Sequence, residues 1–159
     1  IVMPCNTAHY WHADIQKKIK IPLLSMPKEV YLYTKRFCKK NSKIGILCTE
    51  ATLNTKIYNN YFDKNYKLIS PEKKIQKKSV NVAIKLVKMG KVREAEIILR
   101  AAVKHLLKKN CKKIILGCTE LPIAIFAYKS FKKAKESKIF IDPNLLLAEV
   151  CMKKYRKKK

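Results

Sequence analysis

Two of the six cysteines stand in matching surroundings. In Met3, Pro4, Cys5, Asn6, Thr7, and again in Leu116, Gly117, Cys118, Thr119, Glu120, an apolar stretch reaches a Pro or Gly, then a cysteine. Small polar residues follow at the mouth of a predicted helix. A helix N-terminus stabilises a thiolate through unpaired backbone N–H groups and the positive end of its dipole. Both thiols are therefore expected to ionise more readily than a free cysteine. Two such groups on opposite faces of one carbon would do a particular job: one removes a proton, the other returns a proton to the far face, and the roles exchange in reverse. A carbon acid is weaker than a thiol, so charge building on its neighbouring carboxylate has to be stabilised. Asn6, Thr7, Thr52 and Thr119, together with N–H groups at the two helix starts, are the donors placed for that. His9 and His12 lie where they could tune the first thiol or simply pack, and Glu120 where it could cap its helix or touch a ligand. Cys38, Cys48, Cys111 and Cys151 lack the repeated pattern and read as small buried apolar residues.

Strands are needed to carry these cysteines. Lys43–Cys48 and Lys113–Gly117 are short apolar runs of buried-strand type, and Ile1–Pro4, Ile21–Met26, Tyr66–Ile69 and Ile139–Asp142 are weaker candidates. Helical spacing covers Ala8–Ile19, Lys28–Lys39, Leu53–Phe62, Val80–Val87 and Val92–Leu107. Pro71 is expected at a first helical position, and a last helix opens at Pro143 and frays into the Lys157–Lys159 tail. Strands alternating with helices predict an α/β fold with a mainly parallel sheet, in which ligands bind beyond the carboxyl ends of strands.

Composition points elsewhere at first. The 159 residues hold 37 Lys+Arg against 11 Asp+Glu, a formal charge of +26. A polyanion-binding module would favour the planar guanidinium fork, yet the arginines are only Arg36, Arg93, Arg100 and Arg156. The lysines spread over solvent-facing positions as a solvated coat, so no specific nucleic-acid partner is expected. No apolar run approaches the roughly 20 residues of a membrane span, and no secretory signal or C-x-x-C spacing is present. Reduced thiols and a cytoplasmic location are the expectation, without metal or membrane. The chain opens at Ile1 within an apolar run, which suggests a missing N-terminal piece.

The segments Met3-Pro4-Cys5-Asn6-Thr7-Ala8-His9 and Gly117-Cys118-Thr119-Glu120-Leu121-Pro122 resemble the two cysteine signatures of the aspartate/glutamate racemase family, and its aspartate branch more than its glutamate branch. Leu47-Cys48-Thr49-Glu50-Ala51-Thr52, followed by Tyr58, is similar to the family's Thr-x-Gly-Thr turn, with Ala51 where Gly is usual. Val87-Lys88-Met89-Gly90 resembles the segment whose lysine meets the substrate's distal carboxylate, and Ile141-Asp142-Pro143 also fits. The resemblance implies a racemase that needs neither pyridoxal phosphate nor metal, with Cys5 and Cys118 catalytic and Lys88 binding an acidic side chain. It implies two similar α/β lobes with the active site between them: residues 1–20 with 129–159 in the first, residues 21–128 in the second. It further implies a homodimer acting on a small amino acid. The family's first strand, Gly-rich loop and substrate-binding arginine have no counterpart after Ile1. Competing expectations are an isomerase or decarboxylase of the same superfamily, a basic nucleic-acid-binding module, and an inactive truncated relative.

Overall fold

The computed structural model describes residues 1–62, 64–127 and 138–156. Four strands, β1 (Lys43–Cys48), β2 (Lys67–Ile69), β3 (Lys113–Gly117) and β4 (Phe140–Ile141), form one parallel sheet in the order β2-β1-β3-β4. Strand side chains alternate between faces, so each strand feeds two cores. Ile44, Ile46, Cys48 and Ile115 pack with Val30, Tyr58, Phe62 and Tyr66 on one face, while Leu47, Ile114 and Leu116 pack with Val80, Leu99, Val103 and Leu106 on the other. Burial on both faces is why β1 and β3 read as continuous apolar runs. Their register sets Cys48 beside Gly117, so both strands end at one level.

The helices follow from the same periodicities. α2 (Met26–Phe37) opens with Ser25 Oγ accepting the Lys28 N–H at 3.4 Å and Pro27 in its first turn. α7 (Val92–Lys108) turns Ala95, Leu99, Ala102, Val103 and Leu106 inward. The Leu53–Phe62 pattern divides into α3 (Glu50–Asn54) and α4 (Asn59–Phe62), because Lys56 takes a left-handed backbone at φ 52. The remaining helices are α1 (His12–Lys18), preceded by a 3-10 turn at Thr7–Trp11, then α5 (Lys73–Ile75), α6 (Val82–Lys88), α8 (Glu120–Phe126) and α9 (Pro143–Arg156). Between α5 and α6 runs a π-helical stretch, Gln76–Asn81. Among the described residues no helix is long and apolar enough to cross a membrane.

Three expectations are corrected. Ile1–Pro4 and Ile21–Met26 are not strands: they meet through two hydrogen bonds, Ile1 N to Pro22 O at 2.9 Å and Leu24 N to Ile1 O at 3.0 Å. Pro4 and Pro22 have no N–H to extend that contact into a ladder. Pro71 is not a first helical residue, since Glu72 is the N-cap of α5. The strand expected at Ile139–Asp142 forms as β4 and pairs with β3, joining the sheet built from residues 43–117. The lobe boundary at residue 128 and the Lys157–Lys159 tail lie outside the described residues.

Candidate active site

The Cys5 turn is built from contacts that are distant in sequence. Cys5 is exposed, and its carbonyl accepts from His9 Nδ1 at 2.8 Å. His9 Nε2 accepts the Met26 N–H at 3.0 Å, which fixes the proton on Nδ1 and makes the ring a neutral staple between the Cys5 turn and α2. Burial pushes the His9 pKa down, against hydrogen bonds to backbone that act to raise it. His9 stacks on His12 at 5.7 Å, and His12 Nε2 lies 2.9 Å from Leu23 O. Both histidines hold backbone, and neither is hydrogen-bonded to the Cys5 thiol.

Asn6 is 3% exposed, and its Oδ1 accepts the Tyr58 hydroxyl at 2.5 Å. Its Nδ2 has no partner among the described residues, an unpaired buried donor of the kind a ligand satisfies. Thr7 Oγ1 lies 2.7 Å from Thr52 Oγ1 and 3.4 Å from Thr49 Oγ1. Thr49 in turn caps α3, its Oγ1 accepting the Thr52 N–H at 3.1 Å and lying 3.0 Å from Thr52 Oγ1. Three hydroxyls thus meet where β1 gives way to α3.

Cys118 follows β3 at the same end of the sheet. It is 8% exposed, and its thiol donates to Glu120 Oε2 at 2.9 Å. Thr119 Oγ1 donates to the same oxygen at 2.9 Å, and Lys88 Nζ stands 3.5 Å from Glu120 Oε1. The expectation of easier ionisation is overturned here. Burial first, then the hydrogen bond and charge of Glu120, push the Cys118 thiol up to about 12; the Glu120 N–H and Lys88 pull the other way and lose. Burial also acts to raise the Glu120 carboxyl, but the Cys118 and Thr119 hydrogen bonds, its own backbone N–H and Lys88 outweigh it and hold the group below its ordinary value. Asn6 and Thr119 occupy N-cap positions without a side-chain cap, because their polar atoms face site neighbours instead.

The two clusters lie at the carboxyl ends of adjacent strands. A Cβ on Gly117 would come within 3.0 Å of Cys48 Cβ, so glycine lets the end of β3 approach the end of β1. Burial raises the Cys48 thiol, and nearby Cys118 adds to that. The structure therefore groups Asn6, Thr7 and Thr52 with Thr49 and Tyr58, and groups Cys118, Thr119 and Lys88 with Glu120. Sequence reasoning touched Tyr58 and Glu120 without giving either its place. It missed Gln76, whose Nε2 donates to Cys48 O and to Asn81 Oδ1, each at 2.9 Å. A buried Gln on a π-helical stretch leaves no sequence signal of that role.

A family model for Asp/Glu/hydantoin racemases matches residues 1–151. Among curated relatives, a glutamate racemase of Sulfurihydrogenibium sp. is 29% identical, over 77% of this chain and 46% of its own length. The broad specificity amino-acid racemase RacX of Bacillus subtilis is 26% identical, over 76% of this chain and 52% of its own. The solved structure of Picrophilus torridus aspartate racemase superposes with a TM-score of 0.73 at 27% identity, covering 97% of this chain and 61% of that one. The chain thus spans about half the length of these two curated racemases. The α/β class expected from the sequence is the one observed, and a two-lobed arrangement is consistent with the solved racemases it resembles.

Proposed function

The chain belongs to the Asp/Glu/hydantoin racemase family, and from that premise we propose that it acts as an aspartate racemase without pyridoxal phosphate or metal. Cys5 and Cys118 are the two acid/base groups. One thiolate takes the α-proton of the amino acid, and the opposite thiol protonates the other face of the planar intermediate. Asn6 Nδ2 and the hydroxyls of Thr7 and Thr52 receive the α-carboxylate as charge develops on it; a preorganised donor of this kind is worth roughly 3–4 kcal/mol. The Thr119 hydroxyl, which donates to Glu120, orients that side chain's carboxylate at the site's edge. Lys88 meets the side-chain carboxylate, which favours aspartate over neutral amino acids.

One observation carries this reading. The Cys5 turn is tied by Thr7 to Thr49 and Thr52 at the end of β1, and Cys118 leaves the neighbouring strand at the same level. We assign residues 1–20 and the end of the chain to a first lobe and residues 21–128 to a second, with β4, which pairs with β3, completing the second lobe's sheet before the chain returns. The protein works as a cytoplasmic homodimer. Chiral chromatography of L-aspartate incubated with the protein, without cofactor, tests the proposal. D-aspartate should appear, and Cys5→Ser and Cys118→Ser should each abolish it. Full activity in either variant refutes the two-thiol scheme, and conversion of L-glutamate in preference to L-aspartate refutes the substrate assignment.

A further inference from the structure

The racemase reading treats the two thiols as interchangeable partners, but their surroundings differ. Cys118 sits against a carboxylate. Its thiol donates to Glu120 Oε2 at 2.9 Å, and the Thr119 hydroxyl donates to that same oxygen at 2.9 Å, fixing the carboxylate's orientation. The other oxygen, Oε1, faces Lys88 Nζ at 3.5 Å. The Cys5 thiol donates to no carboxylate among the described residues, and Cys5 is exposed while Cys118 is buried.

An ionised carboxylate accepts and does not donate, so its hydrogen bond with Cys118 exists only while sulfur keeps its proton. Were the proton lost, two anions would stand about 3 Å apart in a largely buried place, which disfavours ionisation strongly. Lys88 moderates this, because its ammonium takes part of the carboxylate's charge. It is 64% exposed, and its influence is correspondingly screened.

We propose that Glu120 is a positioning residue that keeps Cys118 in the thiol form in the resting protein, with Lys88 as its counter-charge, so that Cys118 is the proton donor of the first half-turnover. This deepens the racemase proposal and rests on it for the word donor. In each turnover the Cys118 proton passes to the substrate carbon as Cys5 receives the α-proton, so the protein ends in the opposite protonation form. Return to the resting form needs one proton to leave Cys5 for water and one to reach Cys118 from water. Glu120 favours that return. Lys88 is then shared: a ligand carboxylate that draws it away leaves Glu120 more negative and Cys118 more firmly protonated.

Alkylation of each cysteine by iodoacetamide, followed by mass spectrometry of the peptides between pH 6 and 11, reads thiolate formation without reference to catalysis. Glu120→Gln, which keeps the shape of the side chain, should move the Cys118 profile to lower pH and speed its alkylation at pH 9 by about tenfold. Lys88→Met should move the same profile to higher pH. Buried Cys48 serves as the folding control, remaining unreactive in each variant. A Glu120→Gln profile that coincides with the wild type, with Cys48 protected, overturns the proposal, as does a Lys88→Met shift to lower pH. If Glu120→Gln unmasks Cys48, the sign of the Lys88→Met shift decides alone. Absence of racemisation with these shifts intact would sink the racemase reading and leave Glu120's control of the thiol standing.

Discussion

Replacing Tyr58 by Phe removes one oxygen atom from the core and tests how the first half of the site is held. Tyr58 is 2% exposed and Asn6 is 3% exposed, and the phenol donates to Asn6 Oδ1. Phe fills the same space against Phe62, whose ring centroid is 6.3 Å away, so cavity formation is a minor factor. What changes is polar pairing. Asn6 Nδ2 already lacks a partner, and the substitution leaves Oδ1 bare as well, a cost of about 1–3 kcal/mol for a buried amide. For a chain of this size each kcal/mol lowers Tm by roughly 2–4 °C, so Tyr58→Phe should melt roughly 2–12 °C below the wild type. Urea denaturation followed by circular dichroism measures the cost directly. Asn6→Ala and the double variant complete a cycle, in which the two changes together should cost about 1 kcal/mol less than their sum. Additive costs, or a Tyr58→Phe protein as stable as the wild type, would refute a paired Asn6.

Two further outcomes are expected. His9 is neutral in the folded protein and its pKa is lowered by burial, so its contribution is complete above the ordinary histidine value of 6.5 and is lost as pH falls through the lower folded value. Thermal melts between pH 8 and 5 should show stability falling on the acid side, and the fall should be shallower in His9→Leu; parallel curves would remove His9 as the cause. Gly117→Ala places a Cβ 3.0 Å from Cys48 Cβ and 3.4 Å from Leu47 O, so the ends of β1 and β3 must part at a cost of about 1–3 kcal/mol, read as a lower urea midpoint; an unchanged midpoint would show that the strand ends yield freely.

The two central strands were legible because each is apolar on both faces and bounded by polar residues: Lys43–Cys48 and Lys113–Gly117 run between the residues expected. The long helix at Val92–Lys108 was legible by the same token, from its spacing of apolar residues. The break at Lys56 was not, since a left-handed lysine carries no compositional mark of the kind that Gly90 does at φ 76. In the candidate site, the repeated surroundings singled out the two cysteines, but the state of Cys118 was not legible in them. A helix start argues for an easily formed thiolate; a carboxylate two residues later argues against it only if its side chain folds back, and that is a matter of rotamer and burial. The Thr7–Thr52 contact spans 45 residues and is likewise invisible to local pattern.

This contrast separates the halves of the site physically. The Cys118 half is assembled from residues 117–120 and Lys88, on β3, α8 and the end of α6, and its parts are set once those elements pack. The Cys5 half lies outside the sheet and is positioned by side chains reaching across the chain: His9 to Met26, Tyr58 to Asn6, Thr7 to Thr52. A base that must stand close to a substrate carbon can lose on the order of 100-fold in rate when displaced by about 1 Å. Loss of any one of those three ties should therefore disturb Cys5 well before it disturbs Cys118. Under the proposed two-thiol scheme, the exposed half and its few long-range hydrogen bonds, rather than the buried half on the sheet, set the tolerance of the whole site to change.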